Sequence, residues 1–196
     1  MANPLLITIL ILFSTILAST PAAAARHITL DHDSWLETLN PTEEEKFTKL
    51  HFYIHDFVSG PNQTVYNVAE SSITSKSDSW FGRVQVVDHL MTTDPDIGSE
   101  KVGRVQGVHV LSDLHVAAIS VNWNFLFEDG STILVLGRLV AFAKEGELAI
   151  VGGTGKYLMA RGVAYKTTLR MDPDTFNSIM EYTMYVYSSP GAFSEV

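Results

Sequence analysis

The chain has 196 residues, no cysteine and a formal net charge of −9 at pH 7. The missing thiols exclude disulfides, thiolate nucleophiles and cysteine-bound zinc or iron–sulfur centres. An acidic chain without a basic patch is a poor partner for nucleic acid or anionic lipid.

From the N-terminus, Leu5 to Leu17 is an almost unbroken run of Leu, Ile, Phe and Thr. The run is shorter than the roughly 20 residues a membrane-spanning helix needs. Ala23 and Ala25 satisfy the small-x-small rule for signal cleavage. Residues 1–25 are therefore expected to be a signal peptide, which predicts a secreted chain with no membrane anchor. Residues 26–48 are polar and acidic and are expected to form an extended arm, despite a capping-box match at Thr42–Glu45. The mature chain beyond residue 25 is long enough for one domain with a sizeable core. Asn62-Gln-Thr64 is an open N-glycosylation sequon after the turn signal Ser59-Gly60-Pro61, which makes Asn62 the expected glycosylation site.

From Leu50 onward the chain reads as short β-rich runs. The first, Leu50 to Val58, alternates so that Phe52, Ile54 and Asp56 share one face and His51, Tyr53 and His55 the other. The next are Val65–Val68, Phe81–Leu90, Val102–Leu111, Ala117–Phe127 and Thr132–Ala143, then Leu148–Val151, Gly162–Met171 and Ile179–Tyr187. Asp129-Gly130 between two apolar runs predicts a type I′ hairpin, and Glu145-Gly146 predicts another. Eight or nine evenly spaced strands and no long amphipathic helix predict an antiparallel barrel or sandwich. A barrel is the better solution, because closure removes the sheet edges without disulfides.

Val151-Gly-Gly-Thr-Gly-Lys-Tyr157 fails both nucleotide-binding templates, because Tyr157 stands where a phosphate loop needs Ser or Thr, and Leu158 where a dinucleotide fingerprint needs glycine. A tight bend between strands is the expected role. His51 and His55, four apart on a strand, are separated by about 13 Å and cannot share an ion. His32, between Asp31 and Asp33, is at most a weak cation site. No metal and no cofactor are expected. Asp56 is the most informative polar residue: a carboxyl on an apolar face has its pKa raised by desolvation and becomes usable as an acid or base. Its bland alternative is a strand that ends at His55, leaving Asp56 to begin a turn. Arg104 and Arg161 lie within β runs, to pair with carboxylates or to line a cavity.

Five motifs, in order, resemble those of the plant dirigent family. They are Leu50-His-Phe-Tyr-Ile-His-Asp56 with Ser59-Gly60, and Val102-Gly-Arg-Val-Gln-Gly107. Then come Gly130-Ser-Thr-Ile133 with Leu136-Gly-Arg138, and Ala149-Ile-Val-Gly-Gly-Thr-Gly155 with Met159-Ala-Arg-Gly-Val-Ala164. Glu181-Tyr182 with Tyr185-Val-Tyr187 closes the series.

The resemblance implies an eight-stranded antiparallel β-barrel over residues 49–190, a homotrimer or homodimer, located in the apoplast. It implies stereoselective coupling of phenoxy radicals from monolignols such as coniferyl alcohol, made by an external laccase or peroxidase, to optically active lignans. A related branch, the pterocarpan synthases, implies instead a dehydratase that closes 2′-hydroxyisoflavanols through a quinone methide. A third reading is a barrel that binds an apolar ligand without catalysis. Asp56 matches the aspartate of the family's His-Asp motif and is the expected acid.

Lignan-forming members of one subgroup carry a second aspartate where this chain has Gly137-Arg-Leu-Val140, and an arginine at about Gly146. Where they have cavity tyrosines this chain has His109 and Leu111. These departures favour the isoflavanol reading and make His109 a second candidate proton carrier. Phe52, Ile54, Arg104, Leu111 and Arg161 are the expected substrate contacts.

Overall fold

The computed structural model describes residues 45–189, so the signal peptide, nearly all of the arm and the His32 group lie outside the described residues. Nine strands succeed one another: β1 (Lys46–Asp56), β2 (Val65–Ala69), β3 (Val84–Thr92), β4 (Lys101–Leu111) and β5 (Ala118–Phe127), then β6 (Thr132–Val140), β7 (Glu145–Thr154), β8 (Arg161–Met171) and β9 (Ser178–Ser188). Each expected run coincides with one of them. β1 begins inside the stretch read as an arm, because Phe47 pairs with Tyr187 across β9 and packs on the rings of Tyr185 and Tyr187.

The strands form one antiparallel sheet in the order β1-β9-β8-β7-β6-β5-β4-β3-β2. A further pairing of β1 with β3 closes it into an eight-stranded barrel. That seam is short, with Tyr53, Ile54 and His55 opposite Thr92, Met91 and Leu90. Beyond it β3 pairs with β2, Val65 opposite Val87. Two segments thus share one edge of β3, and Asp56 ends β1 where the ladder passes from one to the other.

Strand alternation places Phe52, Ile54, Val105, Phe125, Ile133 and Val135 in the interior, all essentially inaccessible. Each such side chain contributes roughly 1.5–3 kcal/mol by leaving water. The middle of the barrel is filled by Phe52, Phe125 and Tyr182; Phe52 and Tyr182 stack with centroids 6.2 Å apart, and each lies 5.7 Å from Phe125. Beside this layer, two glycines let β4 lie close against the backbone of β5. Gly103 and Gly107 stand directly opposite Phe127 and Trp123 of β5. A Cβ on Gly107 would meet the carbonyl oxygen of Asn122, so only glycine fits there.

Two turns differ from expectation. Asp129-Gly130 does join β5 to β6, but the loop has three residues, with Gly130 N–H donating to Phe127 O and Phe127 N–H to Ser131 O. Gly130 has φ 81° while Asp129 is not left-handed, so the turn is type I with a glycine bulge rather than I′. Glu145-Gly146 lies within β7, and the turn falls earlier, where Ala143 N–H donates to Val140 O. At Gly146 the side chain of Leu139 packs over the backbone, its Cδ2 2.6 Å from where a Cβ would stand. The glycine-rich run ends β7 and bends through Gly155, φ 60°, toward β8.

Candidate functional site

Above the Phe52–Phe125–Tyr182 layer the barrel holds a cavity of about 280 Å³ that opens at one end. Its wall is mainly apolar, with Val65, Leu111, Ile119, Leu139 and Met180 among the lining residues. The polar groups in it come from strand positions that alternation points inward.

Asp56 is reached from both neighbours of β1. Ser178 stands opposite it on β9 and donates from Oγ to Asp56 Oδ2 at 3.4 Å. On the other side, where the β1–β3 ladder has just ended, His89 Nδ1 lies 3.8 Å from Asp56 Oδ1, too far for a hydrogen bond. Oδ1 is buried without any hydrogen-bond partner among the described residues. The side chain keeps 22 % of its accessible surface, and it lines the cavity. Desolvation outweighs the Ser178 hydrogen bond and the charge of Lys166, and the carboxyl is pushed up to about 7. At neutral pH it is therefore poised between acid and base.

Two histidines face the same space and stay neutral. Burial lowers His89 to about 3 and His109 to about 4. His89 Nδ1 hydrogen-bonds with Thr64 Oγ1 at 2.9 Å. His109 sits opposite Gln85 across β3–β4 and its Nε2 is 2.7 Å from Gln85 Oε1. Gln85 uses its Nε2 on Asn67 Oδ1, so its oxygen faces the imidazole and His109 carries its proton on Nε2. His109 Nδ1 is then a bare acceptor, without a partner among the described residues. Trp123, packed between the two imidazoles at 6.1 and 5.9 Å, has an indole N–H in the same condition. An acid, an acceptor and a donor thus line one apolar cavity, each with unused hydrogen-bonding capacity. Buried polar groups are rarely left so.

Lys166 is a further charge at the site. β8 turns it inward between Ala164 and Thr168, leaving 4 % of it accessible, and Nζ donates to Ala143 O at 2.6 Å. Desolvation lowers its pKa, partly offset by the Asp56 charge. Its cross-strand neighbour on β7 is Gly146. The cation that the resemblance places at about position 146 is thus absent there, and the adjacent strand presents one in its stead.

Of the expected site residues, Asp56, His109 and Leu111 line the cavity. Phe52 and Ile54 do not; they are fully buried in the packed layer below it. Arg104 and Arg161 are corrected outright, since both lie on the outer surface. Arg104 donates to the Asp88 carboxylate, and Arg161 pairs with Glu45 at 2.6 Å and lies 5.0 Å from the centre of the Tyr187 ring. Both fall on outward-pointing positions, where a guanidinium remains in water. His89, Trp123 and Lys166 were missed, although the alternations Val87-His89-Met91, Val121-Trp123-Phe125 and Ala164-Lys166-Thr168 place each on an inward face. Asn62 is exposed in the β1–β2 turn.

A family model described as dirigent-like protein matches residues 47–187. The chain is 34 % identical to dirigent protein 11 of Arabidopsis thaliana, over 95 % of this chain and 96 % of that protein. It is 34 % identical to pterocarpan synthase 1 of Glycyrrhiza echinata, over 79 % of this chain and 87 % of the relative. The solved structure of a pterocarpan synthase dirigent protein superposes with a TM-score of 0.69 at 34 % identity, covering 76 % of this chain and 99 % of that one. The barrel, its motifs and these likenesses agree, and the chain belongs to the dirigent family.

Proposed function

We propose that this protein imparts stereoselectivity on phenolic intermediates that react through a quinone methide, with Asp56 as the proton carrier. The observation that carries the proposal is the Asp56 carboxyl, raised to about 7 in an apolar cavity that also offers a free acceptor on His109 and a free donor on Trp123. A quinone methide is trapped by water without facial preference, so an enclosed apolar cavity preserves it until an internal nucleophile attacks. The polar points hold the phenolic oxygens and fix which face is presented.

In radical coupling, two phenoxy radicals supplied by an external laccase or peroxidase join by a carbon–carbon bond, and the resulting quinone methides are closed by the side-chain hydroxyls. Asp56 donates a proton to a quinone-methide oxygen and takes back the one released by the attacking hydroxyl. The products are optically active lignans. A second reading is supported by the likeness to pterocarpan synthases and by the cavity volume of about 280 Å³, close to the lower end of the roughly 300–1,000 Å³ typical of small-molecule pockets. Here one 2′-hydroxyisoflavanol is bound; Asp56 protonates the departing hydroxyl, which leaves as water, and recovers a proton from the phenol that closes the ring. In either case we place the protein outside the cell, glycosylated at Asn62 and assembled as a homo-oligomer.

Chiral chromatography of products tests both readings. One reaction holds coniferyl alcohol and a one-electron oxidant, the other a 2′-hydroxyisoflavanol alone. Enantiomeric excess in the first supports guided coupling, and conversion in the second supports dehydration. Asp56→Asn should reduce whichever activity is present by about 10²–10⁴. Racemic coupling with no conversion refutes the proposal.

A further inference from the structure

Three aromatic side chains from three separate connections meet at the mouth of the cavity. Trp80 comes from the segment between β2 and β3, Phe142 from the β6–β7 turn and Phe176 from the β8–β9 turn. Their ring centroids lie 5.9 Å apart for Trp80–Phe142, 6.2 Å for Trp80–Phe176 and 5.5 Å for Phe142–Phe176. All three line the cavity, yet Phe142 is 47 % and Phe176 40 % exposed. A ring placed only for core packing would be buried instead.

The backbone adds a second, independent observation. Trp80 has φ 54° and Phe176 φ 58°, left-handed conformations that a bulky L-residue adopts only at a cost. Such strain persists where the surroundings over-determine it. Around Trp80 they do so through two buried hydroxyls: Thr74 Oγ1 donates to Phe81 O at 2.7 Å and Ser79 Oγ to Asp113 O at 2.7 Å. Around Phe176 the turn is held by Asp172, whose Oδ1 accepts from the amides of Asp174 and Thr175 and whose carbonyl accepts from Phe176 N–H. Asn177 then ties it to Ser59 in both directions. Met159, which also has a positive φ, lies in the β7–β8 connection and does not line the cavity.

We infer that Trp80, Phe142 and Phe176 form an aromatic subsite at the cavity mouth that stacks on an aryl ring of the phenolic substrate and determines its orientation over Asp56. The inference rests on the phenolic function proposed for the cavity and adds to it the specificity-determining residues. Their quadrupoles favour edge-to-face and offset contacts with an aryl ring, and a ring seated among them would cover the mouth and keep water from the reacting centre. Because the rim is at the opposite end of the cavity from the packed layer, a substrate whose reacting carbon reaches Asp56 leaves its distal ring among these three side chains.

Binding can be measured without turnover by titrating the purified protein calorimetrically with a hydroxylated isoflavone, which has the rings but no departing hydroxyl, and with coniferyl alcohol in the absence of oxidant. Phe142→Ala and Phe176→Asn should each weaken binding between about twofold and tenfold and lower the enantiomeric excess. Phe176→Asn should leave the melting temperature unchanged, since asparagine tolerates the left-handed backbone. Phe142→Ala, at an ordinary backbone position, guards against a folding defect in the first variant. If the wild type binds either probe and both folded variants bind it equally well, the rim assignment is overturned and the phenolic reading survives. A melting temperature that falls with affinity unchanged makes the rings structural and overturns the assignment as well. If the wild type binds neither probe, the phenolic reading falls and takes this inference with it.

Discussion

Asp56 has opposite consequences for stability and for activity. Its folded-state pKa of about 7 lies above the ordinary 3.8. Below pH 3.8 the group is protonated in folded and unfolded chains alike and costs nothing. As pH rises from there to about 7, only the unfolded chain ionises, so the fold loses stability, by up to about 4 kcal/mol for a shift of this size. Asp56→Asn should therefore raise stability at about pH 7.5 and leave it nearly unchanged at about pH 3.5, as urea denaturation at the two pH values will read. The activity carried by the protonated carboxyl should fall as pH rises through about 7. Lys166 tunes that limb, since its charge lowers the Asp56 pKa. Lys166→Met should move the alkaline limb of the pH–rate profile to higher pH, whereas a lysine that only packed would leave it in place.

At the scale of the element, the β4–β5 pair shows how a motif becomes a cavity wall. Gly103 and Gly107 are four apart, hence on one face, and they oppose Phe127 and Trp123. Each glycine lets the β4 backbone approach the β5 carbonyls of Leu126 and Asn122, and the Trp123 ring packs between His89 and His109. Gly107→Ala should cost about 1–3 kcal/mol through the collision with the Asn122 carbonyl and the Trp123 backbone. Gly152→Ala, in β7, meets nothing within 4 Å and should change stability by less than about 0.5 kcal/mol. Chemical denaturation of the two variants separates a glycine needed for close approach from one that is not.

At the scale of the whole molecule, closure depends on a short seam. Only Tyr53, Ile54 and His55 pair with β3, while β1 pairs with β9 along its full length. A buried hydrogen bond reinforces the seam: Thr92 Oγ1 donates to Asp94 O at 2.7 Å and is 2.8 Å from His55 Nε2. With the hydroxyl proton committed to Asp94, His55 Nε2 is the donor to Thr92. Thr92→Val keeps the shape but strands the buried imidazole N–H, and should cost about 1–3 kcal/mol. Hydrogen exchange should then show faster exchange at Tyr53–His55 than along the β8–β9 ladder; equal protection would mean that the seam is not the weak point.

The sequence by itself determined the nine strands, the antiparallel class and the inward face of β1, because alternation has a period of two and turn residues punctuate it. It also carried the family, since ordered motifs survive in one dimension. Asp56 was legible because it shares that face with Phe52 and Ile54. What only the tertiary structure decided is which inward residues meet. Phe52 and Asp56 point the same way, yet one is packed under aromatic rings and the other lies in the cavity, a difference of height along the barrel that alternation does not encode. His89 reaches Asp56 from β3 only because the sheet closes, and Lys166 comes near it from β8, two strands away through β9 and far off in the chain. Arg104 and Arg161 reverse the case: their strands were read correctly, but a cavity and a solvent face are told apart only once every strand has its register.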